Sequence, residues 1–168
     1  MHCVRIRRIA ANEWRALRDV RLAALADAPN AFGSTLAAER DRDDEHWRER
    51  ASRAAEGDEN ATFVVDDGGP QFRGLATGVR ESPAHAHVHL YSMWVHPAVR
   101  RSGAGRGLVE AVCEWARAIG ALRIRLDVTV TNAPAIRLYE SCGFVPTGRE
   151  APLPHTPSLL EQEMERAL

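Results

Sequence analysis

A chain of 168 residues fits one folding domain, 1–168, and leaves little room for a second. Its hydrophobic share of 45% beside 27% charged residues is that of a soluble protein whose apolar core needs no metal or disulfide support. A formal net charge of −1 argues against nucleic-acid binding by bulk phosphate neutralisation, and no stretch approaches the roughly 20 apolar residues of a membrane span.

Val4, Ile6 and Ile9 among arginines predict an opening strand. A helix follows from about Asn12, a suitable N-cap, with Leu17, Val20 and Ala24 on one face and Pro29 marking its end. Phe32-Gly33-Ser34-Thr35 is a connecting loop. A second, polar helix is predicted through Glu39 to Ala55, with Trp47 on its buried side. Thr62–Val65 and Phe72–Val79 are strands joined by the turn Asp66-Asp67-Gly68-Gly69-Pro70. After a break at Ser82-Pro83, a strand runs from His87 to Val95, and Pro97 stops it. From Gly103 the period becomes helical, with Leu108, Val112, Trp115 and Ile119 on one face and Gly120 as the stop. Leu122 to Val130 alternates apolar and polar residues, the clearest strand in the chain. Asn132-Ala133-Pro134 opens a short helix that Gly143 closes. Phe144 and Val145 begin another strand, Leu159 to Met164 forms the last, and the four prolines of Pro146–Pro157 read as a loop. The order β-α-α-β-β-β-α-β-α-β-β describes one mixed α/β domain with six or seven strands and about four helices.

Three cysteines, Cys3, Cys113 and Cys142, make no Cys-x-x-Cys pair and suit a reduced compartment. With no apolar leader in Met1-His2-Cys3-Val4, a cytoplasmic protein is expected. The 22 basic residues are all arginine.

Arg100-Arg101-Ser102-Gly103-Ala104-Gly105-Arg106-Gly107 opens the helix that follows Pro97. Backbone N–H groups at a helix start lack intrahelical partners and carry partial positive charge, so anions bind there, most easily where glycines admit close approach. A Walker P-loop is excluded by the absent lysine. A dinucleotide fingerprint is excluded because His96 to Ser102 separates the strand from the glycines.

Arg100-x-x-Gly103-x-Gly105 resembles the Arg/Gln-x-x-Gly-x-Gly/Ala motif of the GNAT superfamily of N-acetyltransferases, and Met93-Trp94-Val95-His96-Pro97 resembles the strand that leads into it. Asn132 to Phe144 resembles the family's Asn-x-x-Ala-x-x-Leu-Tyr-x-x-x-Gly-Phe segment. The detailed likeness covers about Leu90 to Val145, and the element order extends it over nearly the whole chain. It implies acetyl-CoA as cosubstrate, no metal, and the homodimer the family usually forms. The amides of Arg101 through Arg106 are then expected to cradle the CoA pyrophosphate, with Arg100 and Gly107 flanking. The backbone of Trp94 and Val95 would bond the pantetheine arm and polarise the thioester carbonyl, in a gap where two strands splay apart. Asn132 takes the place of a cofactor-contacting residue. Tyr139 takes that of the acid that protonates the departing thiolate.

With a thiol at about 8.5 and a tyrosine at about 10, that proton transfer is uphill by roughly 2 kcal/mol, a gap that a lowered Tyr139 pKa would close. Read without the likeness, Tyr139 is a packed aromatic at a helix end. The base is open. His85, His87 and His89 share one strand face that continues through Tyr91, and Glu81 and Glu39 are carboxylate candidates, as is a water chain. The same three histidines are a weaker candidate for a metal site, having no carboxylate or turn beside them. Cys142 as an acyl-enzyme nucleophile lacks an activating neighbour in sequence and is expected to pack.

The acceptor is expected to be a primary amine, a small molecule or amino acid first and a peptide or protein N-terminus second. Phe32, Ser34, Glu39 and Tyr91 should face it, between the Phe32–Glu39 loop, the second helix and the Pro146–Pro157 loop. A non-catalytic acyl-CoA-binding module would keep the glycine turn and lose the acid; Asn132 and Tyr139 are both present. No nucleic acid or membrane partner is expected.

Overall fold

The computed structural model describes residues 4–82 and 86–168; Cys3, Pro83 and His85 lie outside them. Seven strands form one mixed sheet: β1 (Arg5–Arg8), β2 (Asn60–Asp66), β3 (Gly74–Ser82), β4 (His87–Val95), β5 (Arg123–Thr129), β6 (Val145–Leu153) and β7 (Thr156–Ala167), in the spatial order β1-β2-β3-β4-β5-β7-β6. Every neighbouring pair is antiparallel except β4 and β5. Parallel neighbours need a crossover, and α4 (Ala104–Ala118) supplies it.

Both faces of the sheet are covered, because alternate residues of a strand point to opposite sides. In β2, Val65 packs with α4 while the adjacent Val64 packs with α1 (Trp14–Asp27) and α3 (Asp44–Ala55). Leu108, Val112, Cys113 and Ala116 of α4 are fully buried against Val88, Ile124 and Leu126. On the opposite side Leu17, Leu25, Trp47 and Ala51 close a second core with Leu75 and Trp94. A fifth helix, α5 (Ala133–Ser141), lies beside the α4 core through Tyr139. Among the described residues no helix is long and apolar enough to cross a membrane.

Three expectations need correction. The chain enters α1 through a 3-10 turn at Ala11–Glu13 rather than an Asn12 cap, and the Glu13 carboxylate accepts from the Ala10 amide at 2.8 Å and from Arg7 at 2.7 Å. The predicted helix Glu39–Ala55 is two helices, α2 (Leu36–Arg40) and α3, making five α-helices among the described residues. Thr35 and Asp43 each cap their own start, accepting from Ala38 and His46 amides at 3.2 and 2.8 Å. The Pro146–Pro157 segment is not a loop: it forms β6 and the start of β7. β6 is the sheet's edge, where a proline's missing N–H breaks no ladder, and its residues Val145 to Pro152 are exposed.

Candidate active site

The β4–β5 ladder ends at His89↔Arg125, although β4 continues to Val95 and β5 to Thr129. Beyond that point the strands part. On its other side β4 slips register against β3 between Leu75↔Trp94 and Thr77↔Tyr91, a bulge at which Ser92 adopts φ +57°. The buried Arg21 guanidinium of α1 donates to Ser92 Oγ at 3.1 Å. The gap between β4 and β5 is the mouth of a cleft of about 1160 Å³. That exceeds the ~300–1,000 Å³ usual for a single small ligand, so a cofactor and an acceptor fit together.

One end of the cleft is the start of α4. Gly103 holds φ +90°, a conformation that disfavours any residue with a Cβ, and Arg101 holds φ +61°. The first backbone bond of the helix runs from Gly107 N to Gly103 O at 2.9 Å, so the amides of its first turn are not spent inside the helix. Arg101, Gly103, Gly105 and Arg106 line the cleft here, and Arg137 of α5, which sequence reasoning missed, joins them. This is a fitting cradle for a pyrophosphate.

Arg100 also lines the cleft, but its charge is engaged. Nε donates to the Val95 carbonyl at 2.9 Å, and Nη2 bonds Asp27 at the end of α1. Asp27 also accepts from the Trp94 indole at 2.9 Å. The Trp94 bond, followed by Arg100, holds the Asp27 carboxyl below the usual carboxylate range. Asp27 therefore ties the end of β4 to α1, a link between distant segments that nothing in its own stretch signals. Three residues expected at the cofactor are not among those lining the cleft. Ser102 Oγ donates to the Val99 carbonyl at 2.6 Å, Ala104 is buried in the α4 core, and Gly107 faces Ile6 of β1. A Cβ on Gly107 would stand 2.2 Å from Ile6 Cδ1, so this glycine serves packing.

Midway, Trp94, Val95, Asn132 and Tyr139 all line the cleft. Asn132 caps α5, its Oδ1 accepting from Ala135 N at 3.3 Å, which leaves its amide NH₂ for a ligand. Tyr139 is buried, edge-on to Phe144, and its hydroxyl makes no hydrogen bond among the described residues. Burial, reinforced by Cys142, pushes that hydroxyl above the usual tyrosine range. The expected lowering by the helix is thus reversed: desolvation of the phenolate outweighs it.

At the far end His89 is buried between two carboxylates, with Nε2 3.2 Å from Asp127 Oδ2 and Nδ1 3.4 Å from Glu81 Oε1. Tyr91, exposed, stacks on the imidazole with centroids 4.2 Å apart. His89, Tyr91 and Asp127 line the cleft. Glu81 does so only through His89. Asp127 was missed in sequence, where it is one more polar residue in the alternation of β5.

Phe32 lines the cleft, under the Arg21 guanidinium at 4.7 Å, but Ser34 and Glu39 do not. Ser34 Oγ bridges Arg21 at 2.7 Å and Glu39 at 3.0 Å, and Arg50 bonds Glu39 at 3.3 Å. Burial opposes the Glu39 charge, but Arg50 and Arg21 outweigh it and hold the carboxyl below its ordinary value. Glu39 is therefore an anchored anion and neither base nor acceptor ligand. Burial pushes the Cys142 thiol up and the Cys113 thiol to about 11, which deprives both of nucleophilic character. Among the described residues no group of three or more His, Cys, Asp or Glu is placed to hold a metal.

The model of the acetyltransferase (GNAT) family matches residues 21–144. The [ribosomal protein bS18]-alanine N-acetyltransferase of Escherichia coli strain K12 is 31% identical over 98 residues, 58% of this chain and 64% of that protein, so the chain spans under two thirds of this relative's length. An acetyltransferase of the GNAT family from Streptococcus pneumoniae superposes with a TM-score of 0.82 at 20% identity over 99% of each chain. The yncA protein of Salmonella typhimurium, solved with its cofactor acetyl-CoA, superposes with a TM-score of 0.75 at 24% identity over 99% of this chain and 94% of that one.

Proposed function

This chain belongs to the acetyltransferase (GNAT) family, and on that footing we propose that it transfers the acetyl group of acetyl-CoA directly to a primary amine. The observation that carries the reading is one continuous cleft with an anion cradle at the α4 start and the His89–Asp127 pair at the other end. The α4 amides with Arg101 and Arg106 hold the pyrophosphate. The free β4 edge from Leu90 to Val95 binds the pantetheine arm, and a backbone N–H of that edge polarises the thioester carbonyl.

An aliphatic ammonium, with a pKa of about 10, must lose a proton before it attacks. His89 accepts it on one ring nitrogen, which the amine approaches in place of the carboxylate there, while the carboxylate facing the other nitrogen orients the ring. The amine nitrogen bonds the carbonyl carbon, the C–S bond breaks with its electron pair staying on sulfur, and the nitrogen releases its second proton to solvent as the amide forms. Tyr139, kept protonated by burial, donates its O–H to that sulfur as the thiolate leaves. Because burial makes the phenolate costly, the hydrogen bond carries most of the stabilisation and the phenol regains any transferred proton from solvent.

The acceptor is a small amine or amino acid. A peptide N-terminus is the second reading, favoured by the name of the E. coli relative, an alanine N-acetyltransferase of a ribosomal protein. The test is an acceptor screen that reads free CoA across amines, amino acids and short peptides, with calorimetric titration of acetyl-CoA, CoA and ATP. Binding of acetyl-CoA with amine-dependent CoA release is expected. Binding of ATP without CoA overturns the reading.

A further inference from the structure

We propose that the acceptor carries a second, non-reacting positive charge and that Glu161 on β7 binds it. This deepens the amine-acetyltransferase reading and rests on it.

The charge on the cleft wall is segregated, apart from Asp27, which is paired with Arg100. Arg100, Arg101, Arg106 and Arg137 line the α4 and α5 side, whereas Asp127 and Glu161 lie at the His89 end. The one arginine at that end, Arg21, is occupied by Ser34, Ser92 and Glu39.

Glu161 differs from its neighbours on the same strand face. Glu161, Glu163 and Glu165 alternate along β7 opposite Thr129, Asp127 and Arg125. Glu165 is held by Arg123 and by Arg125 at 2.7 Å. Glu163 accepts from Thr147 Oγ1 at 2.9 Å and faces Arg149 at 3.7 Å. Glu161 has neither a hydrogen bond nor an ion pair among the described residues, yet it is partly buried in the cleft wall. His155 and His89 relieve it only in part, and His155 gives it no hydrogen bond, since its Nε2 is engaged with the Phe32 carbonyl at 2.7 Å and its Nδ1 with Thr156 Oγ1 at 3.0 Å. Burial, and then Asp127, push the Glu161 carboxyl above its ordinary value, the mark of an anion short of a counter-charge.

A partly buried carboxylate without a partner is costly, and a cation in the cleft removes the cost. The reacting nitrogen cannot be that cation throughout, because it must be neutral when it attacks. Asp127 and Glu81 are already committed to His89. A persistent ammonium or guanidinium elsewhere on the acceptor satisfies Glu161 through the whole reaction.

The test compares putrescine with butylamine, the monoamine of equal length, using acetyl-CoA and the free-CoA assay on wild type and Glu161→Gln. Wild type should favour the diamine in kcat/KM by about tenfold, the effect of one modest ion pair. Glu161→Gln should abolish that preference by raising the diamine KM, leaving butylamine turnover and the acetyl-CoA KM unchanged. Equal use of both amines by wild type, or a Gln variant that loses both alike, overturns the proposal while the acetyltransferase reading stands. No CoA release with any amine overturns that reading too, and this inference with it.

Discussion

His89 Nε2 stands 3.2 Å from Asp127 Oδ2, at the junction where β4 and β5 stop pairing. In the proposed mechanism the carboxylate orients the imidazole that acts as base. Asp127→Asn should therefore lower kcat by roughly ten- to hundredfold, less than the ~10²–10⁴ expected from losing the base itself in His89→Gln. Asp127 is partly exposed, so thermal stability should hardly change. Steady-state kinetics with a fixed amine and varied acetyl-CoA check this: an unchanged kcat for both variants removes His89 from the chemistry.

Tyr139 offers a cleaner separation of activity from folding. Its hydroxyl bonds no described residue, so Tyr139→Phe keeps the ring packed on Phe144 and leaves the melting temperature within error. If Tyr139 is the donor to sulfur, as proposed, kcat should fall by about 10²-fold with the acetyl-CoA dissociation constant unchanged. Nearly full turnover would remove Tyr139 from the leaving-group role.

Local pattern carried much of this in the sequence. The glycine turn and the Asn132–Phe144 segment are contiguous, so their motifs are legible and their main residues line one cleft. The alternation of β5 is equally plain because Ile124, Leu126 and Val128 are buried on one face while Arg123 and Asp127 are exposed on the other. What escaped was non-local. His89 and Asp127 each sit in the polar phase of a strand, but only the parallel register of β4 on β5 brings them together. Asp27 holds Trp94 and Arg100 from the end of α1, and no local pattern announces it. The prolines of β6 read as a loop because edge position, which makes them tolerable, is a property of the whole sheet.

The Arg21–Ser34–Glu39–Arg50 network predicts a pH dependence of stability. Glu39's carboxyl is lower in the folded protein than in the unfolded chain, since Arg50 and Arg21 outweigh its burial. Its contribution is thus fully present above the ordinary carboxylate range and is lost as pH falls through the folded value. Glu39→Gln should cost about 3–5 kcal/mol at neutral pH, because Arg21 stays buried without its counter-charge. That difference from wild type should shrink steadily below about pH 4, where the unfolded glutamate is protonated. Urea titrations across pH measure both slopes, and a difference independent of pH would contradict the assignment.

Gly107 tests whether the glycine run is one device or two. Its Cα faces Ile6 rather than the cleft, and an added Cβ would meet Ile6 Cδ1 at 2.2 Å while the next atom, Ile6 Cγ1, is 3.6 Å away. Gly107→Ala should therefore destabilise by about 1 kcal/mol at most, because the overpacking against the movable Ile6 Cδ1 is offset in part by alanine's ~1 kcal/mol helix preference. The Ile6→Val change removes only Cδ1, so the double variant should recover most of the loss, a coupling that a double-mutant cycle in urea resolves. The acetyl-CoA dissociation constant should stay unchanged in both. Gly103→Ala should act the other way round in ligand terms: it forces a Cβ into φ +90° at the start of α4 and should weaken acetyl-CoA binding by re-aiming the first-turn amides. Equal effects of the two alanines on binding would mean that Gly107 shapes the cradle after all.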